Sequence, residues 1–358
     1  MRKKKNCLLG ILLVLAMALT MPGMTTEAYA AGTKSERDIV IVLDPGHGGA
    51  DGGATRRWSG KTYQEKKLNL SIAKACKKKL ESYAGVRVYL TRSSDRYVGL
   101  GSRVSYAKGK KADIFVSLHN NASLKSKDNG ACVIYPNSSY KKTVGKNGKD
   151  AAQCIQNQLT GLGLKNNGVY YRNTAVGSRY PDRSRADYYK VIKDCKLAGI
   201  PGIIVEHAYV SNSGDCKKYL KTEDQLRMLG EADALGLAEY FDLVEDVTPE
   251  LTQAQAGEDK AVQLCWNPLN EMDGYKIYRR VAGEKKFTCI ATVTGDTSYS
   301  DLTAEAGVTY EYCIGAYHTG RTAVSLTSKS GILSVTMPVQ EETGGDTEEA
   351  QPKETQNL

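Results

Sequence analysis

Short apolar segments alternate with amphipathic segments from residue 38 to residue 240, and this alternation is what most constrains the fold. The runs DIVIVLD at 38–44 and ADIFVSLH at 112–119 have the length and β-branched content of buried strands. Between them, residues 68–80 place an apolar residue at every fourth position, with lysines on the opposite side, as in a helix. Strands that alternate with helices favour an α/β fold, here an open, mostly parallel sheet covered by helices on both faces.

The character of the sequence changes after residue 241. Residues 242–257 are polar and acidic with one proline, which predicts a linker, and a linker predicts that domain 38–241 folds and acts without the C-terminal residues. Residues 258–338 contain short strands separated by turn residues, a pattern typical of a small all-β sandwich. Residues 339–358 are acidic and poor in apolar residues, so we expect a disordered tail.

The first 30 residues predict a secretory signal peptide. A basic start is followed by an apolar run from Cys7 to Leu19 and by the small-residue ending Ala28-Tyr29-Ala30. The run is shorter than the roughly 20 residues that span a bilayer, so no stable membrane span is expected. We therefore expect a secreted protein, located outside the cell or in the cell wall, and mostly free thiols among the scattered cysteines.

Charge is divided unevenly along the chain. Residues 32–241 carry 36 Lys and Arg against 20 Asp and Glu, whereas residues 242–358 carry 9 against 19. A basic first domain predicts an anionic partner. The chain has no recognisable nucleic-acid-binding motif, which together with the predicted export argues against nucleic acid and favours an anionic cell-wall polymer.

Three of the four histidines follow predicted strands. His47 lies in the glycine-rich stretch IVLDPGHGGADGG after the first strand, His119 ends another, and Glu206 with His207 ends the last. Ligands of open α/β sheets bind at the carboxyl ends of strands. Glu65 begins the first helix, so two imidazoles and a carboxylate can converge, and that is a ligand set of catalytic zinc.

A further carboxylate near such a site would serve as a general base. Asp44 and Asp51 are alternative ligands, although Asp44, which precedes Pro-Gly, better fits a turn-stabilising role.

Five motifs in order resemble those of the zinc-dependent N-acetylmuramoyl-L-alanine amidases of the bacterial cell wall, over residues 39–240. They are IVLDPGHGGADGGA, YQEKKLNLSIA, VYLTRSSDRYVGLGSRVSYA, ADIFVSLHNNA and IIVEHAYVSN. The resemblance implies one zinc ion per chain, held by His47, Glu65 and His119, with Glu206 as the catalytic base. It also implies cleavage of the amide between the lactyl group of N-acetylmuramic acid and L-alanine in peptidoglycan.

The chain departs from this pattern at His207-Ala208, where the family has a small or aliphatic residue followed by glycine. Because neighbouring strand residues point to opposite faces, Glu206 and His207 cannot both enter one pocket. The alternative in which His207 faces the metal stays open at this point. So do two other functions: an inactive wall-binding protein, and a zinc peptidase that cuts within the stem peptide.

Two further expectations concern substrate and the second domain. Residues 165–193 resemble a substrate-side region of the family and are rich in arginine, whose guanidinium groups suit stem-peptide carboxylates. The predicted substrate-binding residues are Asn121, Arg172, Arg183 and Arg185. Residues 258–338 resemble a fibronectin type III module, a type that usually serves as a spacer or adhesive unit.

Overall fold

The computed structural model describes residues 34–257 and 260–339. The predicted signal peptide and the acidic tail beyond residue 339 lie outside the described residues. Across the two described ranges, no helix is both long enough and apolar enough to cross a membrane.

The first domain alternates strands and helices as the sequence predicts. Its elements are β1 (Ile39–Pro45), β2 (Thr55–Trp58), β3 (Lys61–Gln64), α1 (Glu65–Leu80), β4 (Val86–Leu90), α2 (Leu100–Gly109), β5 (Ile114–Asn121), β6 (Ala131–Ile134), α3 (Lys142–Gly161), β7 (Asn166–Tyr170), α4 (Lys190–Ala198), β8 (Gly202–Tyr209), α5 (Ser213–Tyr219) and α6 (Glu223–Phe241). The main sheet has the order β4-β1-β5-β8-β6-β7. All neighbours in it are parallel except β6 and β8, which confirms a mostly parallel sheet.

Strand alternation divides the core between the two faces of this sheet. Ile41 and Leu43 of β1 pack with apolar residues of α1, α3 and α6 on one face. Val42, between them, packs on the other face with residues of α2 and α4. Because successive side chains of a strand point to opposite faces, the continuous apolar run of β1 serves both layers. The predicted helices on both faces are therefore confirmed.

The C-terminal region is an all-β sandwich. Its strands are β9 (Leu251–Ala256), β10 (Val262–Trp266), β11 (Gly274–Val281), β12 (Thr288–Val293), β13 (Ser298–Asp301), β14 (Thr309–Thr319), β15 (Val324–Leu326) and β16 (Leu333–Thr336). One sheet has the order β13-β10-β9, and the other has the order β12-β11-β14-β15 with β16 also paired to β14. The resemblance to a fibronectin type III module stays a prediction.

The predicted linker 242–257 is too long, because its last residues form β9. This edge strand pairs antiparallel with β10, so the sandwich begins at Leu251 rather than at residue 258. Leu251 is buried and Ala254 and Ala256 pack against the sandwich core, while threonine and glutamine lie between them. A strand whose inward residues are mostly alanine has little apolar contrast, and its sequence resembles a polar linker.

The sandwich docks on the first domain through the turn between β14 and β15. Ala323 is fully buried and belongs to the core of the first domain. The Arg321 backbone N–H donates to Phe241 O at 2.9 Å, and the Arg321 guanidinium lies 4.4 Å from the Tyr240 ring centroid and donates to Asp150 Oδ2 at 2.8 Å. Glu36, which precedes β1 in the chain, forms a β-bridge with Val324 of β15. The two domains are thus packed together, at the amino-terminal edge of the main sheet.

Ending the chain at residue 242 is therefore expected to destabilise the first domain. Tyr240 would lose the Arg321 side chain that covers it, and the core would lose Ala323. Because apolar area becomes exposed, we expect the free energy of unfolding to fall by about 2 kcal/mol or more. In a domain of this size, this lowers Tm by roughly 4–8 °C. Calorimetry of the shortened and full chains measures this, with Arg321→Ala in the full chain as the milder case. Equal melting temperatures would show that the domains are independent, as the linker predicts.

Candidate metal centre

The loop after β1 brings its histidine close to two other polar side chains. His47 adopts a left-handed backbone with φ of 61°, which is uncommon for a residue with a Cβ and is typical of functional sites. A Cβ on Gly46 would lie 2.2 Å from Cε1 of His119, and a Cβ on Gly53 would lie 2.6 Å from Oε2 of Glu65. These two glycines are required because the backbone passes directly against the side chains of the site.

Two imidazole nitrogens converge on one carboxylate oxygen. His47 Nε2 lies 3.1 Å and His119 Nδ1 lies 3.0 Å from Oε1 of Glu65. One ligand atom from each of the three residues fits within a group less than 4.8 Å across. The Glu65 side chain is buried, whereas both imidazoles are partly exposed to the cleft. The three predicted ligands are therefore together at the carboxyl edge of the sheet.

Neighbouring groups fix which nitrogen of each imidazole faces the carboxylate. The Nδ1–H of His47 donates to Asp51, whose two oxygens lie 2.9 Å away. The Nε2–H of His119 donates to Ser117 Oγ at 3.2 Å, and that hydroxyl donates to Asp44 Oδ2 at 2.8 Å. The inward nitrogens, which hydrogen-bond Glu65 here, are therefore the ones that can offer lone pairs to a metal ion once they are deprotonated. Asp44 and Asp51 thus orient the imidazoles instead of joining the ligand group.

The surroundings shift the pKa values of Glu65 and His47. Burial raises the pKa of Glu65, but hydrogen bonds and charge from the two histidines outweigh this and hold it well below its usual range. Burial lowers the pKa of His47, but Glu65 and Asp51 raise it more strongly, to about 9. Glu65 is therefore an ionised carboxylate at neutral pH, and two imidazole nitrogens with one such oxygen form a donor set that suits zinc.

Several supporting residues were not predicted from the sequence. Asn69 and Asn120 are buried beneath Glu65; the Asn120 N–H lies 3.3 Å from Glu65 Oε1, and Asn120 Nδ2 donates to Asn69 Oδ1 at 2.9 Å. Arg103 donates to Asp44, the carboxylate behind Ser117 and His119, at 2.6 Å, and the side chains of Arg103 and Asp44 are both buried. Polar residues within the apolar spacing of α1 and α2 were the available signal, since buried polar groups need partners.

Glu206 lies directly opposite His119 in the β5–β8 register. Its side chain lines a cleft of about 340 Å³ together with His47, Glu65 and His119. Its Oε2 atom is buried and has no hydrogen-bond partner among the described residues. Burial raises the pKa of Glu206 to about 7. A carboxylate with a free acceptor oxygen beside the three converging groups is suited to take up a proton.

His207 points away from this cleft. Its side chain is fully buried, and its Nε2 lies 2.8 Å from Oδ2 of Asp233 on α6. The alternative in which His207 faces the metal is wrong, because β8 turns Glu206 and His207 to opposite faces of the sheet.

The predicted substrate-binding residues are divided by the structure. Asn121 lines the cleft, as do Leu100 and Tyr189, which the sequence did not single out. The Arg172 guanidinium lies 4.0 Å from the ring centroid of Tyr188, next to Tyr189. None of the three arginines is among the residues that line the cleft, and Arg183 and Arg185 are exposed on the loop before Tyr188.

The α/β domain thus carries, at the carboxyl edge of its sheet, a group of two imidazoles and a carboxylate that could hold a metal ion. A family profile described as N-acetylmuramoyl-L-alanine amidase matches residues 41–239, more than half of the chain. The chain belongs to the N-acetylmuramoyl-L-alanine amidase family.

Two relatives of this name and one solved structure are similar to parts of the chain. N-acetylmuramoyl-L-alanine amidase AmiC of Escherichia coli O6:H1 is 30% identical over 58% of this chain and 54% of its own length. N-acetylmuramoyl-L-alanine amidase LytC of Bacillus subtilis is 35% identical over 50% of this chain and 31% of its own length. The chain thus spans about half of the first relative and less of the second. The solved catalytic domain of CwlV, an amidase from Bacillus (Paenibacillus) polymyxa, is 30% identical over 57% of this chain and 99% of that one, with a TM-score of 0.45.

Proposed function

We propose that the chain is a zinc-dependent amidase that hydrolyses the bond between N-acetylmuramic acid and L-alanine in peptidoglycan. The observation that carries the proposal is the convergence of His47, Glu65 and His119 beside the unpartnered oxygen of Glu206, in a chain of this family. Three protein ligands leave a position open for substrate or water, as in catalytic rather than structural zinc sites.

His47 Nε2, His119 Nδ1 and a Glu65 oxygen would hold one zinc ion per chain. The bound ion supplies a Lewis acid that polarises the substrate carbonyl and makes water a nucleophile near neutral pH. Asp51 and Ser117 keep each imidazole in the tautomer that offers its lone pair to the site. Because Glu65 is buried and hydrogen-bonded by its neighbours, its oxygen stays in place as substrate enters.

Glu206 moves the proton in this reaction. Its carboxylate accepts a proton from the water that attacks the lactyl carbonyl and then donates a proton to the departing amine of L-alanine. General acid–base catalysis of this kind contributes typically about 10²–10⁴-fold to the rate. Burial without a partner suits the task, because it keeps the basicity of the carboxylate high enough to take the proton.

The wider setting rests on the sequence. The excess of basic residues in the first domain supports binding to peptidoglycan and other anionic wall polymers. The signal-peptide pattern supports action outside the membrane, in the wall or secreted. Asn121 and Arg172 would contact substrate at or beside the cleft, and for Arg183 and Arg185 we propose a role further along the polymer.

Release of soluble fragments from purified sacculi tests the proposal. Zinc-loaded protein is expected to solubilise dye-labelled sacculi, chelated protein to leave them intact, and restored zinc to recover the activity. The matched control is Glu206→Gln, which should carry zinc but release little dye. Zinc-loaded wild-type protein that sediments with sacculi without dissolving them would instead identify an inactive wall-binding protein.

A further inference from the structure

The strand pair that carries His119 and Glu206 contains a bulge immediately beyond these residues. In the β5–β8 register, His119 pairs with Glu206 and the next pair is Asn121 with Tyr209. Two residues of β8, His207 and Ala208, therefore oppose the single residue Asn120. Bulges interrupt the regular ladder and redirect side chains, and they are over-represented next to active sites. Here the bulge begins directly after His119, the residue of β5 that is a candidate metal ligand.

The His207 imidazole spans this bulge. Its Nδ1 lies 2.8 Å from the backbone oxygen of His119, and because a carbonyl only accepts, the Nδ1–H is the donor. Its Nε2 lies 2.8 Å from Asp233 Oδ2, and both side chains are fully buried. The ring thus links α6, through Asp233, to the residue of β5 that carries a predicted metal ligand.

This polar pair is a costly way to fill a buried position. Asp233 Oδ1 has no hydrogen-bond partner within the described part of the chain, so the carboxylate is only partly satisfied. Buried ionisable pairs are often no more stabilising than apolar residues of similar size. Packing alone therefore does not account for histidine at 207, whereas its hydrogen bond to His119 O does.

We infer that His207 and Asp233 are positioning residues of the metal centre, a conclusion that rests on the proposed function. The imidazole links the bulged end of β8 to the His119 carbonyl by a hydrogen bond. Asp233, on α6, holds the imidazole in that orientation. This hydrogen bond fixes the position of the His119 backbone and therefore of the His119 ring at the site. It acts on the metal through the geometry of His119, without contacting the metal or the substrate.

Metal binding by full-length variants tests this. His207→Leu removes the hydrogen bond to the His119 carbonyl. We expect zinc affinity, measured by chelator competition, to fall at least tenfold, as for other groups that orient metal ligands. The visible spectrum of the cobalt-substituted protein should change in parallel. His207→Asn places an amide N–H near the position of Nδ1 and should recover affinity to within about threefold of the wild type. Asp233→Ala keeps the His207 imidazole but removes its contact with Asp233, and it should lower zinc affinity less than His207→Leu does. This variant tests the inference if His207→Leu is insoluble.

Leu229→Ala is the matched control for lost stability. Leu229 is fully buried on the same helix as Asp233 and packs in the apolar core. This variant should lower Tm yet leave zinc affinity and the cobalt spectrum unchanged.

Two results would overturn the inference. One is wild-type zinc affinity and cobalt spectrum in His207→Leu or, where that variant is insoluble, in Asp233→Ala. The other is an Asn variant as defective as the Leu variant. Failure of the wild-type protein to bind zinc or to cleave peptidoglycan would contradict the proposed function instead, so the two failures are distinguishable.

Discussion

Replacing Glu206 with glutamine is expected to lower turnover by roughly 10²–10⁴-fold while leaving bound zinc in place. Glutamine is nearly isosteric but cannot accept the proton that the mechanism assigns to the Glu206 carboxylate. Zinc should remain because Glu206 is not in the group of converging ligand atoms. The variant should also melt no lower than the wild type, since the Oε2 atom of Glu206 is buried without a hydrogen-bond partner and glutamine is uncharged.

Single-turnover kinetics with metal analysis on the same samples measures both effects. The Leu229→Ala variant is the companion, because it changes a core residue outside the site and should retain most turnover. Normal turnover in Glu206→Gln would remove Glu206 from the mechanism and require another base.

Replacing His119 with alanine is expected to cause a still larger loss. Two of the three ligands remain, and Glu65 loses the partner whose nitrogen lies 3.0 Å from its Oε1. Zinc content should fall below about a tenth of an ion per chain, and activity should fall by more than the roughly 10²–10⁴-fold attributed to a general base alone. Elemental analysis after dialysis gives the first quantity and dye release gives the second.

His318 supplies the control for removing a histidine elsewhere. It lies on β14 in the sandwich, 3.5 Å from Asp242, and takes no part in the cluster. His318→Ala should keep one zinc per chain and full activity. If it lost zinc while His119→Ala kept it, the metal would be bound in another place.

The sequence predicted the parts of the molecule that depend on strong local patterns. Apolar strand runs predicted the sheet, and the rule that strand ends meet at one edge predicted that His47, His119 and Glu206 lie close together. The resemblance to the family added the role of each residue. Buried β5 and β8 carry these patterns without interruption, which is why the prediction of the sheet is confirmed.

The features that the sequence did not predict depend on partners far along the chain. The orientation of His207 depends on Asp233, which lies 26 residues later on another element. The role of Ser117 depends on Asp44, 73 residues away. Docking of the sandwich depends on Ala323, a small residue whose burial has no local signature. Such contacts arise from tertiary packing, which hydrophobic periodicity does not report.

Mass spectrometry of the fragments released from purified sacculi shows which bond the protein cleaves. An amidase that acts between N-acetylmuramic acid and L-alanine produces free stem peptides with an N-terminal L-alanine and glycan strands with unsubstituted lactyl carboxylates. We expect both products, in equal amounts, from zinc-loaded protein and neither from Glu206→Gln. Fragments cut within the stem peptide, with L-alanine still attached to the glycan, would contradict the proposed amidase activity and identify a zinc peptidase.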